Sequence, residues 1–277
     1  MELLGDLQGR TIRATHYTEA DKPRDAGRGT GVRVISGRSG LWYHGWLKPY
    51  PGHAGMPMSH PWFTLVGDVH SNLADYVRLV EDSEYSIQLG DLGFDYSLLA
   101  KLDPARHRFL PGNHDNYAAM PPHALGDFGL WRIPGAEPEA LSGEVFYVRG
   151  GLSIDRFCRT ENVDWFVQEE LTDEQFAEAI RRYAEVKPDF VISHDGPSSV
   201  IPYLAHYRST SRTNQGLQRM LETHRPKRWF FAHHHYTWGK EIDGTLFMCV
   251  GELAALDMDK TLRLAADRRG GRAPPIG

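Results

Sequence analysis

Five times along this chain a short strand-like run ends in a polar cluster that includes Gly, Asp, Asn or His. Trp62–Val66 leads into Gly67-Asp68-Val69-His70, and Tyr85–Leu89 into Gly90-Asp91. Arg106–Leu110 leads into Pro111-Gly112-Asn113-His114-Asp115. Phe190–Ser193 is followed by His194-Asp195-Gly196-Pro197, and Arg228–Ala232 by His233-His234-His235. Continuous apolar runs this short, bounded by turn residues, read as strands buried on both faces. Layered α/β folds gather ligands at the carboxyl ends of their strands. Clusters far apart in sequence are therefore expected to meet in space.

Helical patterns fill the intervals. Leu73, Tyr76, Val77 and Val80 recur at helical spacing. A helix is expected over about residues 173–186, with Thr172 and Gln175 as a capping box and Phe176, Ile180 and Tyr183 on its apolar face. A second is expected over about residues 215–224, and a further strand at Thr245–Val250. The fold class is thus α/β, and no internal repeat is present. With 277 residues the chain is long enough for one large domain plus an extension.

Residues 1–60 differ from the rest. They hold 10 of the 28 glycines and carry 8 Lys/Arg against 5 Asp/Glu, a local charge of +3. The overall charge of −5 leaves −8 on the remainder. Short β-like runs at residues 11–17, 31–36 and 41–47 predict a β-rich N-terminal extension, with Trp42, Tyr43 and Trp46 packing it or offering a stacking surface. Residues 61–267 are expected to form the main domain, and the Gly/Pro-rich segment 268–277 a disordered tail. No apolar run approaches the ~18 residues of a membrane span. Two cysteines, Cys158 and Cys249, make no disulfide framework. Without an apolar leader, a cytoplasmic setting is expected.

The 14 histidines are the compositional outlier, and many sit in the five clusters. One Gly-Asp after a strand is an ordinary turn, and one buried His ordinarily satisfies a hydrogen bond. Five such clusters, each behind a strand, point instead to a shared site. Residues two apart in an extended segment face the same way. Asp68 is thus expected to pair with His70, and His233 with His235, on one side. Carboxylate, imidazole and amide donors without thiolates suit two divalent ions such as Mn²⁺, Fe²⁺ or Zn²⁺, which a shared carboxylate holds ~3.5–4 Å apart.

The order Asp-x-His, Gly-Asp, Gly-Asn-His-Asp, His, His-x-His, spread over about residues 61–255, resembles the calcineurin-like metallophosphoesterase family, notably its small bacterial and phage members. The resemblance implies a two-sheet α/β sandwich flanked by helices, with a dinuclear metal site at the strand ends. It implies one metal, Mn first among the candidates, held by Asp68, His70 and His235. The other would be held by Asn113, His194 and His233, with Asp91 bridging. His114 would act on the substrate phosphate and assist the leaving group as a metal-bridging hydroxide attacks. His234 would point away. Arg156 and Arg159, after Gly150-Gly151, are candidate phosphate contacts, or else pair at the surface with Asp155 or Asp164.

Three departures from the family pattern stand out. Ala232 occupies a position where the family usually has Gly. Phe94 stands where many members carry the Asp that orients the catalytic His, leaving Asp95 or Asp115 as substitutes. The protein phosphatase signature is missing, which favours phosphodiester or nucleotide substrates over phosphoproteins. A monoesterase or a nuclease is the alternative, and the acidic main domain argues against nucleic acid as the principal partner. A non-catalytic scaffold of the same fold would be expected to have lost ligand positions, and none is lost here. No membrane association is expected, and the sequence leaves the oligomeric state open.

Overall fold

The computed structural model describes residues 63–132, 144–204 and 211–257. The expectations for residues 1–60 and 268–277 lie outside them. In chain order the strands and α-helices are β1 (Phe63–Val66), α1 (Leu73–Val80), β2 (Tyr85–Gln88), β3 (His107–Phe109), β4 (Phe128–Arg132), β5 (Glu144–Val148), α2 (Asp173–Val186), β6 (Phe190–Ser193), α3 (Arg212–Thr223), β7 (Arg228–Phe231), β8 (Trp238–Ile242), β9 (Thr245–Cys249) and β10 (Ala255–Asp257).

Strand alternation builds the layers. Phe63 and Leu65 of β1, Ile87 of β2, Phe190 and Ile192 of β6 and Phe230 of β7 share one core between two sheets. Their neighbours point outward. Val191, Trp229 and Phe231 pack beneath Phe176 and Tyr183 of α2 and Leu217, Met220 and Leu221 of α3. Val66 packs with Leu73, Tyr76 and Val80 of α1. Both faces of the central strands are covered, so even Thr64, Ser86 and Gln88 are buried and none of these strands shows a solvent-facing polar side.

One sheet has the order β10-β1-β2-β3 and the other β4-β5-β6-β7-β9-β8. β1, β2 and β3 run parallel, with Val66 opposite Gln88 and Gln88 opposite Phe109. β5, β6, β7 and β9 also run parallel. Parallel strands end on one edge, so each sheet delivers its clusters to a single rim. The result is the two-sheet sandwich flanked by helices.

Local sequence sets the helix limits. Thr172 Oγ1 accepts the Gln175 N–H while Gln175 Oε1 accepts the Thr172 N–H, so α2 begins at its predicted residue. α3 begins at Arg212 rather than at about 215, because Ser211 and Asn214 make a second capping box. No described helix is long and apolar enough to cross a membrane.

Candidate metal centre

The two rims meet. His194, following β6, sends Nδ1 to the Leu89 carbonyl at the end of β2, 2.8 Å away. The His233 N–H, following β7, donates to Asp68 Oδ1, following β1, at 3.1 Å. Gly90 permits the approach: its φ is +113°, and a Cβ there would lie 2.1 Å from His194 Nδ1. Side chains from both sheets therefore face one another.

They form two overlapping groups. Asp68, His70, Asp91 and His235 each bring one donor atom within 4.8 Å of the others, and Asp91, His194 and His233 do likewise. Asp91 belongs to both. His70 Nε2 and His235 Nε2 are 3.0 Å apart. In the second group His194 Nε2 lies 3.0 Å from Asn113 Oδ1, 3.1 Å from His233 Nδ1 and 3.2 Å from Asp91 Oδ1. The seven residues expected as ligands thus come together.

The way they converge corrects one expectation. His233 joins the second group and His235 the first, the division the resemblance implied, but not from an extended segment. The alternation of an extended strand does not apply, because both residues are left-handed, with φ of 66° and 60°. His70 (φ 46°) and Asp91 (φ 59°) are left-handed too. This conformation costs a residue with a Cβ roughly 1–2 kcal/mol, and such strain gathers at functional sites. Ala232 is not among the left-handed residues, so its methyl is accommodated. His234 turns away, its Nε2 3.2 Å from Asp195 Oδ1.

The electrostatics call for cations. Asp68 and Asp91 are fully buried, and Oδ2 of each lacks a hydrogen bond. His235 Nε2 stands 3.4 Å from Asp68 Oδ2 without hydrogen-bond geometry. Burial, reinforced by Asp91, drives the Asp68 carboxyl well above its ordinary value. Burial would raise Asp91 too, but His194 holds it below the usual carboxylate range. His194 is the reverse case: burial opposes its charge, yet Asp91 and Asp68 lift it to about 10. Burial lowers His233 to about 4 against the pull of Asp195. A carboxylate oxygen left unpaired in the interior is costly unless a cation meets it. Gly151 adds a steric observation: a Cβ there would lie 2.9 Å from the His194 ring, 3.3 Å from Asn113 Oδ1 and 3.4 Å from His233 Nδ1. The donor set suits divalent cations, and each of the two groups could hold one.

His114 stands at the edge of the groups. Its N–H donates to Asp91 Oδ1 at 2.8 Å, and its ring meets that of His70 edge-on at 5.2 Å. Neither aspartate weighed from the sequence is seen to orient it. Asp95 accepts from Ser97 N and Oγ. Asp115 accepts backbone N–H bonds from Asp91, Gly93 and Gly112 and so ties two clusters together. The side chain against His114 is Arg159, whose guanidinium lies 3.4 Å from Nε2. Asp155 grips Arg159 with both oxygens, at 2.8 and 2.7 Å, and the Asp164 carbonyl takes a third bond. Arg156 is exposed on the preceding turn. Phe166 is core, beside Phe94 and Tyr117.

A family model described as calcineurin-like phosphoesterase matches residues 61–237. No curated protein sequence matches the chain. Among solved structures, the phosphopantetheinyl hydrolase PptH of Mycobacterium tuberculosis is 15% identical, with 70% of this chain and 91% of that one covered and a TM-score of 0.44. TT1561 of Thermus thermophilus is 13% identical, with 73% and 96% covered and a TM-score of 0.41. A zinc complex of Vps29 from Entamoeba histolytica is 15% identical, with 69% and 73% covered and a TM-score of 0.30. Matched by its model over more than half of its length, the chain belongs to the calcineurin-like phosphoesterase family.

Proposed function

We propose that this protein is a dinuclear metal-dependent phosphoesterase acting on phosphodiester or nucleotide substrates. The observation that carries the reading is the pair of donor groups sharing Asp91, in which two buried carboxylate oxygens have no hydrogen bond. Asp68, His70 and His235 would hold one ion, Asn113, His194 and His233 the other, and Asp91 both. Two such cations, Mn²⁺ first among the candidates, would neutralise phosphate charge and acidify water held between them.

The other roles belong to the chain. His114, anchored by its N–H to Asp91, places its ring where a leaving oxygen needs a proton. Arg159, fixed by Asp155, offers a guanidinium edge to a phosphate oxygen beside His114. Arg156 is a second such contact from the exposed turn. The diester preference rests on the missing protein phosphatase signature, and a monoesterase remains the competing outcome.

The test compares bis-p-nitrophenyl phosphate with p-nitrophenyl phosphate, using metal-stripped protein to which Mn²⁺ is restored. Expected is hydrolysis that requires Mn²⁺, favours the diester and falls about 10²-fold in His114→Ala, with metal content retained. Faster monoester cleavage would replace the diester reading. Absence of bound metal would sink the proposal.

A linked result concerns protons. In the ion-free protein His194 is held protonated up to about pH 10, whereas metal binding needs its free lone pair. Burial raises the Asp68 carboxyl too, so Mn²⁺ binding is expected to release protons and affinity should rise with pH. Titration calorimetry in two buffers of different ionisation enthalpy checks this. An observed enthalpy independent of buffer would contradict it.

A further inference from the structure

We propose that Ser153 and Glu169 are positioning residues that decide which end of the Asn113 amide faces the second donor group, an inference that rests on the two-ion reading above. The amide has opposite ends: its oxygen meets a cation favourably and its NH₂ does not. The choice between them is made behind the site. Asn113 Nδ2 donates to Ser153 Oγ at 3.1 Å. That hydroxyl donates to Glu169 Oε2 at 2.6 Å, and the Ser153 N–H donates to Glu169 Oε1 at 3.1 Å. All three residues are buried, each 2% exposed.

The direction of this chain follows from its far end. Burial raises the Glu169 carboxyl from its ordinary value while the Ser153 hydroxyl and N–H lower it, and once ionised it only accepts hydrogen bonds. The Ser153 hydroxyl hydrogen is thereby committed to Glu169, and only lone pairs are left for Asn113. The amide must then donate, which turns Oδ1 toward His194 Nε2, 3.0 Å away. Backbone packing holds the pieces in place. The Gly151 N–H donates to the Glu169 carbonyl at 3.1 Å. Gly150 has φ +93°, and a Cβ on it would lie 2.3 Å from that carbonyl oxygen. The Gly150-Gly151 pair thus brings Ser153 and Glu169 together behind the site.

Glu169→Gln unlocks the direction of the chain without changing its shape. The new amide must keep its oxygen for the Ser153 N–H, so its NH₂ faces Ser153 Oγ. The hydroxyl hydrogen is then released from the carboxylate and can turn to Asn113 Oδ1, so the amide is no longer held with its oxygen toward the ion. Full-length protein is titrated calorimetrically with MnCl₂ and followed by electron paramagnetic resonance. Wild type is expected to bind two ions and show a spin-coupled pair. Glu169→Gln should keep one ion at wild-type affinity, bind the other about 10–100-fold more weakly and show the six-line spectrum of an isolated Mn²⁺.

Ser153→Ala, which cuts the chain instead of unlocking it, should weaken the same ion and decides the matter if the glutamine variant does not fold. Folded variants that bind both ions as wild type does would overturn this inference alone. Wild-type protein that binds fewer than two ions would overturn the two-ion reading and this inference with it.

Discussion

Replacing Asp91 by asparagine is expected to lower Mn²⁺ occupancy in both donor groups and to cut phosphoesterase turnover by about 10³-fold. The size follows from what the residue supplies. Asp91 is the one carboxylate common to both groups and is fully buried. An ion acting on phosphate as a Lewis acid is worth several kcal/mol, and each 1.36 kcal/mol is a decade in rate. Asparagine keeps the shape and one oxygen, so the His114 N–H retains an acceptor and the loop retains its form. What is lost is one negative charge beside every other donor. Elemental analysis after gel filtration, read beside hydrolysis rates, checks both halves. A variant with two ions and more than a tenth of wild-type turnover would show that Asp91 is not the shared ligand. Loss of one ion only would move it to a single group.

Trp229→Ala should destabilise the fold by about 3–5 kcal/mol, the cost of removing a large side chain from a closed core. Trp229 is fully buried on β7. Its ring lies at 27° to Phe247 with 6.1 Å between centroids, and the Tyr183 ring of α2 is 6.5 Å away. Nε1 donates to Ser193 Oγ at 2.7 Å. The substitution therefore opens a cavity and also removes a hydrogen bond between the strands that end in His194 and in His233. At roughly 2–4 °C per kcal/mol for a domain this size, the melting temperature should fall by about 6–20 °C. Denaturant unfolding measures the energy directly. A loss under about 1 kcal/mol would mean that the layer of α2 and α3 collapses onto the gap.

The two results probe parts of the molecule that were unequally legible in the sequence. β1, β2, β6 and β7 stood out because both of their faces are covered, leaving short strand-like runs with a polar cluster at the end. β4, β8 and β10 did not, and each lies at an edge of its sheet, although β3, also at an edge, was expected and β5, inside its sheet, was not. An edge strand faces solvent along one side, and β8 reads Trp-Gly-Lys-Glu-Ile, with its three central residues exposed. No period-two apolar signal survives there. In the site, residues directly behind strands could be listed from their order alone. The pairing of Arg159 with Asp155 was among the sequence expectations, whereas Ser153 and Glu169 could not be assigned partners that way. Their relations depend on how the loop between β5 and α2 folds back, and Gly150-Gly151 were the only local hint of close approach. The two-residue rule failed at His233 and His235 because left-handed backbone replaces the pleat.

The mixing of sheets in the two donor groups has a mechanical consequence. The first group takes Asp68, His70 and Asp91 from the rim of one sheet and His235 from the other; the second takes Asp91 from the first sheet and His194 and His233 from the second. An ion in either group would be a rivet through both leaves of the sandwich at that rim. Loading the protein would stiffen that end, so the described part of the molecule would behave as a clothes-peg whose spring is the core and whose jaws close on metal.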